Sequence, residues 1–300
     1  MLAGAGMISL APAPALACAC GCGVFEVGTA SLFATDHGGT AFLEYDFMDQ
    51  DHNWSGTSSA PAGNNDDKDL RTDFFTAGAE YMFNSSWGVM AEVPVWNRYF
   101  KTDDGLGIDS FEHAALGDIR LMGIYSGFSD DMSTGIKFGV KLATGDWKYP
   151  NFDRDTEIGT GSTDLLLGAY HFGALTNDDA WVWFGQASLD QPIATQGGYR
   201  PGWEVDGAVG VTYDGLTVGD DIKVAPVLQL VGSHRDHDSG PQANPDDSGY
   251  DRLLVAPGIE VDVQNWKLYG DVEFPIFQNM NGNQLAAPAL FKLIVSRSFD

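Results

Sequence analysis

The stretch Leu116-Gly-Asp-Ile-Arg-Leu-Met-Gly-Ile-Tyr125 decides the fold class, because its residues alternate in polarity along an extended chain. Successive side chains of a β-strand point to opposite faces, so Ile119 and Leu121 share one face while Asp118 and Arg120 share the other. A strand of about ten residues with one apolar and one charged face is typical of a transmembrane β-barrel.

The same alternation returns twice in the residues that follow. It runs from Ile136 to Leu142 after a short polar turn, and from Ser162 to Phe172 after a long acidic loop. A soluble β-sandwich also alternates, but it rarely places so many ionised side chains on its second face or so many long loops at one end. We therefore predict an all-β fold, a transmembrane antiparallel up-and-down β-barrel.

Residues 39–300 form the predicted barrel domain and divide into about twelve strands, although ten or fourteen would also fit the pattern. Short and long connections alternate along the chain. This pattern places the short turns and both termini on the periplasmic side of a Gram-negative outer membrane. The predicted strands cover residues 40–52, 70–83, 87–99, 114–127, 134–146, 161–174, 180–192, 203–214, 221–233, 250–263, 265–277 and 285–299. Longer connections are expected at 54–68, 102–112, 147–160, 193–202, 234–249 and 278–284.

The composition agrees with a membrane barrel. After the N-terminus the chain has no run of eighteen apolar residues, so strands rather than helices are expected to cross the membrane. The formal net charge of −26 argues against a nucleic-acid partner, because like charges repel the phosphate backbone. The expected partners are outer-membrane lipid, lipopolysaccharide and a small-molecule solute, and the pattern leaves the oligomeric state open.

The first seventeen residues resemble a secretory signal peptide. Residues 1–17 are apolar and end in Ala15-Leu16-Ala17, a small residue on each side of a larger one, as expected before a cleavage site. No Lys or Arg precedes Lys68, so the usual positive region is missing and we expect the true start to lie upstream.

Cys18, Cys20 and Cys22 then open a predicted Cys-rich periplasmic segment at residues 18–38. Clustered thiolates could bind a soft metal such as Cu(I) or Zn, but three ligands without a nearby His are an incomplete set. Lipid attachment to Cys18 would need Leu three residues earlier, where Ala15 stands. We favour a third interpretation, an oxidised pair plus a spare thiol in a flexible tail.

Several stretches resemble one known family. Leu116–Leu121, Lys141–Asp146, Asp153–Gly168 and Gln278–Leu285 are similar to the MetA-pathway-of-phenol-degradation family of outer-membrane proteins. The resemblance covers roughly residues 70–299, and its most specific part is 141–168. It implies a porin-like, channel-type barrel that acts as a transporter near aromatic-degradation genes, with small aromatic or hydrophobic compounds as solutes.

The face opposite the apolar one is predicted to line the lumen, where acids outnumber bases. Its acids are Glu44, Asp46, Glu80, Glu92, Asp118, Asp164, Asp190, Glu204, Asp206, Glu260, Asp262, Asp271 and Glu273. Its bases are Arg120, Lys137, Lys141, Lys223, Lys267 and Lys292. Buried charges need water or partners, so the lumen either holds an aqueous path that favours cations or is filled with paired side chains.

A short repeat lies within three of these strands. Glu92, Asp190 and Glu273 each stand two residues before a proline, on every fourth predicted strand. Proline cannot donate to a sheet ladder, so each repeat predicts a strand end or a bulge. We predict that the three carboxylates form a belt near the extracellular mouth. The predicted constriction residues are Glu92, Asp190, Glu273, Asp118, Arg120, Lys137, Lys141 and Asp164.

One predicted loop combines two histidines with several acids. His234 and His237 stand close to Asp238, and such a set could bind a divalent cation on the extracellular loops. Solvation, or bridging to lipopolysaccharide through divalent ions, is the interpretation we favour, and no resident cofactor is predicted.

The leading function hypothesis is passive passage of small solutes through a cation-favouring lumen. One alternative is a non-conducting structural, adhesion or assembly barrel. A second is an outer-membrane lipid hydrolase, which would need a Ser–His pair at the lipid interface. His171 is the only histidine deep within a predicted strand, and no Gly-x-Ser-x-Gly motif accompanies it, so we predict that the chain is not an enzyme.

Overall fold

A computed structural model describes residues 23–28, 32–33, 37–103, 105–219 and 221–299. Within these ranges no helix is long and apolar enough to span a membrane. The described helices are short 3₁₀ turns, at Gly23–Glu26, Ala62–Asn64 and Pro245–Asp247.

The strands belong to one antiparallel sheet. In chain order they are β1 (Gly38–Gln50), β2 (His52–Gly56), β3 (Ser58–Ser59), β4 (Asp67–Met82), β5 (Trp87–Asp103), β6 (Ile108–Leu116), β7 (Arg120–Tyr125), β8 (Thr134–Lys141), β9 (Ser162–Ala174), β10 (Trp181–Thr195), β11 (Glu204–Tyr213), β12 (Leu216–Val218), β13 (Ile222–Arg235), β14 (Tyr250–Val263), β15 (Trp266–Ala286) and β16 (Leu290–Phe299).

The sheet closes on itself, because β1 pairs with both β4 and β16. The two short strands β6 and β7 both pair with β5 and are the halves of one interrupted strand. The hairpin β2–β3 and the short β12 extend the rims. The fold is therefore a closed antiparallel barrel of twelve strands, as predicted, and closure leaves no unpaired sheet edge inside the membrane.

The two faces of the barrel differ as the sequence pattern requires. On β1 the side chain of Leu43 is 65% exposed on the outer surface, whereas the adjacent Phe42 is buried in the lumen. On β16 Phe291 and Leu293 face outward, and Lys292 between them is only 3% exposed. The outer apolar surface suits lipid, and the inner surface carries the charges.

Aromatic side chains gather on the outer surface at the end of the barrel that carries the short turns. Trp181 packs against Tyr213 at a ring-centroid distance of 4.9 Å, and Trp87 packs against Tyr125 at 4.7 Å. Amphipathic rings at strand ends match the interfacial girdles of membrane barrels.

The fourth predicted strand, 114–127, differs from the structure. Strand β6 begins at Ile108, within the predicted connection 102–112, and the strand is interrupted at residues 117–119 before β7. At the interruption the Ile119 amide donates to the Thr144 side chain instead of a backbone carbonyl, and the Asp118 carboxylate accepts hydrogen bonds from the Gly145 and Thr160 amides of the loop after β8. The predicted fifth strand, 134–146, ends at Lys141 for the same reason, since Gly145 takes part in those bonds.

The three repeated prolines mark irregularities and not strand ends. Pro192 lies at a register shift between β10 and β9, and Pro275 lies beside a shift between β15 and β14. The carbonyl of Pro94 accepts a hydrogen bond from the Gly117 amide, at the point where β5 changes partner from β7 to β6. The strands continue beyond each proline, so the bulge alternative is correct and the strand-end alternative is wrong.

The predicted connection 278–284 is also wrong, because β15 runs on to Ala286. Its outer part pairs with β14 and then with β2, which supplies the backbone partners that an exposed extension would otherwise lack. Residues 287–289 alone connect it to β16.

The chain before β1 does not lie wholly outside the barrel. Residues 18–38 are predicted to form a periplasmic segment, yet residues 23–28 and 32–33 lie within the lumen, where Val24 and Val27 are fully buried. We call these described residues the inner segment. The predicted signal peptide and the three cysteines lie outside the described residues.

Candidate functional site: the barrel lumen

The inner segment spans much of the height of the lumen. Gly23 lies against the carboxylate of Glu204, at the first residue of β11 and so close to the long loops. Phe33 stacks on Tyr170 of β9, with ring centroids 4.7 Å apart, and also on Phe172 near the short turns. The inner segment therefore extends from the long-loop end toward the short-turn end.

Lumen side chains bind the backbone of the inner segment. The Lys292 ammonium donates hydrogen bonds to the carbonyl oxygens of Phe25 and Val27, at 2.8 and 2.9 Å. The side-chain amides of Gln186 and Gln229 donate to two further carbonyls of the segment, at 3.2 and 3.4 Å. Because irregular backbone in a barrel lacks sheet partners, such bonds are what make its burial tolerable.

A charged and an apolar contact complete this attachment. The Glu26 carboxylate forms an ion pair with the Arg120 guanidinium. The ring of Phe25 packs on Phe74 of β4, with centroids 5.5 Å apart.

The loop between β8 and β9, residues 142–161, folds inward from the long-loop end. Asp118 fixes its base: one carboxylate oxygen accepts from the Gly145 amide at 2.8 Å, and the other accepts from the amide and hydroxyl of Thr160 at 2.8 and 2.6 Å. Gly145 and Gly159 touch through their backbones, and a Cβ at either would overlap the other. We call residues 142–161 the inward loop.

The tip of the inward loop rests on Arg98, a buried residue of β5. The Arg98 guanidinium donates to the carbonyl oxygens of Thr156 and Glu157, at 2.6 and 2.9 Å. Ile158 beside them is fully buried. Burial raises the pKa of the Glu157 carboxyl to about 7, although Arg154 and Arg98 lower it in part.

A cavity of about 210 Å³ remains between the inner segment, the inward loop and the barrel wall. Its apolar lining includes Met48, Phe74, Trp96 and Ile158. Its acids are Glu26, Glu44, Asp46, Glu92, Asp118, Asp155, Glu157, Asp164, Asp190 and Glu204, and its bases are Arg98, Arg120, Lys137, Lys141, Arg154 and Arg235.

The predicted constriction residues form ion pairs around this cavity. The Lys141 ammonium lies 2.5 Å from a carboxylate oxygen of Asp164 and 2.7 Å from one of Asp190. Arg120, which binds Glu26, also lies 3.8 Å from Glu92. Lys137 lies 4.0 Å from Glu80, and Asp118 fixes the inward loop instead of facing a free path.

The three carboxylates of the predicted belt have different surroundings. Glu92 and Asp190 line the cavity and face positive charges, as just described. Glu273 is fully buried, and among the described residues neither of its carboxylate oxygens has a hydrogen-bond partner. It lies next to Leu290 of β16, two residues from Lys292, and not in the lining of the cavity.

Three lumen arginines were missed by the sequence analysis. Arg98, Arg235 and Arg252 are each about 95% buried. Arg98 has the same strand parity as Glu92, so counting alternate residues along the predicted strand 87–99 could have found it. Arg235 lay beyond the predicted end of its strand, since β13 continues to that residue.

The histidines of the long loops have partners of their own. His234 lies 2.7 Å from a carboxylate oxygen of Asp251, and His237 lies 2.8 Å from the carbonyl oxygen of Pro245. Within the described ranges no group of three or more His, Cys, Asp or Glu side chains is arranged to hold a metal ion. His171 lies 2.7 Å from the hydroxyl of Thr134 and beside the ring of Trp183.

Comparison with known proteins supports the barrel. No family model and no curated protein matches the sequence. The structure is similar to that of the COG4313 outer membrane channel from Pseudomonas putida F1, at 12% identity and a TM-score of 0.67, over 91% of this chain and all of that one. It is also similar to the beta domain of the Bordetella autotransporter BrkA, at 12% identity and a TM-score of 0.50, over 88% of this chain and all of that one. These likenesses show that the chain has the fold of an outer-membrane barrel.

We expect the inward loop to be held more firmly at acidic than at neutral pH. A carboxyl whose pKa is higher in the folded loop than in the released loop binds its proton on folding, so the inward position loses stability as pH rises from about 4.5 to about 7. A pKa shift of that size corresponds to at most about 3.4 kcal/mol. Amide hydrogen exchange over residues 142–161, corrected for intrinsic rates, should therefore speed up relative to the barrel strands between pH 5 and pH 7.5.

The matched control is Glu157→Gln, which keeps the shape of the side chain and removes its titration. Its loop should show the same corrected protection at both pH values. An equal pH dependence in the variant and the wild type would exclude Glu157 as the cause.

Proposed function

We propose that this chain is an outer-membrane channel for the passive passage of small solutes, with a lumen that favours cations. The observation that carries the proposal is a closed barrel whose inner wall is charged around a cavity. Charged side chains are costly to bury without water or partners, so a barrel that only had to be stable would favour an apolar or fully paired interior.

The charges around the cavity support a preference for cations. Acids outnumber bases among its lining residues, and several carboxylate oxygens, including one each on Asp46 and Asp190, lack a hydrogen-bond partner among the described residues. A negative potential in a narrow, weakly screened space raises the local concentration of cations.

The apolar part of the lining supports the solute class that the family resemblance implies. Met48, Phe74 and Trp96 would contact an aromatic or hydrophobic body. The similarity to the COG4313 channel is a likeness of fold and agrees with membership of the MetA-pathway-of-phenol-degradation family. Lipid and lipopolysaccharide around the outer surface complete the proposed surroundings.

The inner segment and the inward loop favour a second candidate, a barrel that does not conduct. Both occupy the lumen, and the inner segment is bound to its wall by Lys292. Conduction would require one of them to move.

Planar-bilayer recordings in a KCl gradient test the choice between the two. The proposal expects open events with a reversal potential that favours K⁺, and a preference that shrinks as salt rises, because exposed charges are screened beyond about 10 Å at 0.1 M. The variant with Glu92→Gln and Asp190→Asn should lose cation preference, since it removes two negative charges from the cavity wall and leaves Arg120 paired only with Glu26 and Lys141 only with Asp164. The control with Glu260→Gln and Asp262→Asn frees the charge of Lys267, with which both acids pair, but does not touch the cavity.

Equal reversal potentials in the two double variants would contradict a constriction at the cavity. A wild-type barrel that never opens would support the non-conducting candidate.

The proposed orientation places the short turns and the termini in the periplasm. Single cysteines introduced at Asn64, Gln196 or Asn244, in a background with Ser at positions 18, 20 and 22, should react with an impermeant maleimide on intact cells. Cysteines at Ser85 or Asp178 should react only after the outer membrane is permeabilised. Labelling of the second set alone on intact cells would reverse the orientation.

A further inference from the structure

We infer that the lumen cavity is a binding site for an amphipathic organic cation, a protonated amine on an aromatic or apolar body. The inference rests on the proposed function and names the class of solute that the site would select. It follows from a row of inward-facing side chains on adjacent strands.

The row consists of Asp46 on β1, Phe74 on β4 and Trp96 on β5. Asp46 is the direct cross-strand partner of Phe74, and Phe74 is the direct partner of Trp96. Their rings meet edge to face, with centroids 4.8 Å apart. All three line the cavity, so a carboxylate and an aromatic wall stand side by side there.

The carboxylate in this row has unused hydrogen-bonding capacity. Asp46 is only 3% exposed; it shares one side-chain hydrogen bond with Glu44 on the same strand, and its Oδ1 has no hydrogen-bond partner among the described residues. The nearest cation along the strand ladder, Lys292, is its cross-strand partner, yet it donates its hydrogen bonds to the carbonyls of Phe25 and Val27. A buried acceptor without a donor is costly, and an ammonium group supplies the donor and the opposite charge.

The protein already uses this wall to hold cations. The Arg98 guanidinium lies 5.4 Å from the centre of the Trp96 ring, and the Lys292 ammonium lies 5.8 Å from that of Phe25. Phe74 stands between these rings, in contact with both and opposite Asp46. Aromatic faces attract cations through their quadrupole, and the attraction grows when water is excluded.

The class of ligand follows from the two kinds of contact that this row offers, a carboxylate and an aromatic wall. An inorganic cation would use the carboxylate but gain nothing from Met48, Phe74 and Trp96. A neutral aromatic compound would use the rings but bring no positive charge to Asp46, and an anion would be repelled. An ammonium group joined to an apolar body uses both parts.

Isothermal titration of the purified full chain in detergent tests the inference with three probes that share one ring. These are 2-phenylethylammonium, 2-phenylethanol and phenylacetate, measured at pH 7. The ammonium should bind at least tenfold more tightly than either other probe, since only it adds the attraction of opposite charges to the hydrogen bond with the carboxylate. Comparable affinity for the alcohol would overturn the inference and leave an unspecific apolar cavity.

Substitutions locate the site. Asp46→Asn should weaken binding of the ammonium at least tenfold, whereas Asp262→Asn, a lumen acid outside the cavity, should leave it within twofold. Trp96→Leu should weaken it about threefold or more, and Trp96→Phe should restore most of the affinity, because it restores an aromatic face. Folding of each variant is checked by heat-modifiable migration on gels. If Asp46→Asn does not fold, the affinities of the wild type for the three probes still test the inference.

Bilayer recordings separate this inference from the proposed function. A barrel that conducts K⁺ but neither binds nor is blocked by 2-phenylethylammonium would overturn the site and leave the channel. A barrel that binds the ammonium through Asp46 but never conducts would keep the site and overturn the channel.

Discussion

The two hydrogen bonds from Lys292 to the carbonyl oxygens of Phe25 and Val27 are the interaction on which the state of the lumen depends. A lysine buried in a barrel needs partners, and a stretch of non-sheet backbone in the same place needs donors. The Lys292 ammonium supplies the donors and the carbonyl oxygens of the inner segment supply the acceptors. With the inner segment held there, the Glu26 carboxylate reaches Arg120, and the ring of Phe25 packs against Phe74.

The inward loop closes the other side of the cavity by a similar device. Asp118, a barrel residue, accepts the amide hydrogens of Gly145 and Thr160, and Arg98 donates to the carbonyls at the tip. The barrel thus holds two pieces of chain in its lumen through buried charged side chains. The hydrogen bonds and ion pairs of both attachments can be exchanged for water at a modest cost compared with unfolding a strand, whereas the apolar contact of Phe25 with Phe74 cannot.

The barrel could be predicted from the sequence because lipid and lumen impose opposite polarity on successive residues. Leu43 and Glu44, or Phe291 and Lys292, show the rule in single pairs of neighbours. Strands that cross a membrane seldom depart from this rule, so about twelve strands and the inward direction of Glu92, Asp190 and Lys141 could be predicted from alternation alone. The breaks in the rule at residues 117–119, and the extension of β15, depend on partners distant in sequence.

The contents of the lumen could not be predicted in this way. Nothing local in the sequence of the inner segment distinguishes a segment that lies outside a barrel from one that enters it, because its partners are Lys292, Gln229 and Gln186 on remote strands. The pairing of Glu92 and Asp190 with basic residues likewise depends on which strands are neighbours and on their register. Alternation gives the face of a residue and not what stands opposite it across the lumen.

The single-channel conductance of Lys292→Met is the most direct test of this account. Methionine fills a similar volume but cannot donate to the two carbonyls, so the inner segment should leave the wall and the conductance or the open fraction should rise several-fold above the wild type. Lys267→Met removes a lumen ammonium that pairs with Glu260 and makes no contact with the inner segment, and should leave both unchanged. Equal conductance and open fraction in the wild type and both variants would contradict the claim that Lys292 holds the lumen closed.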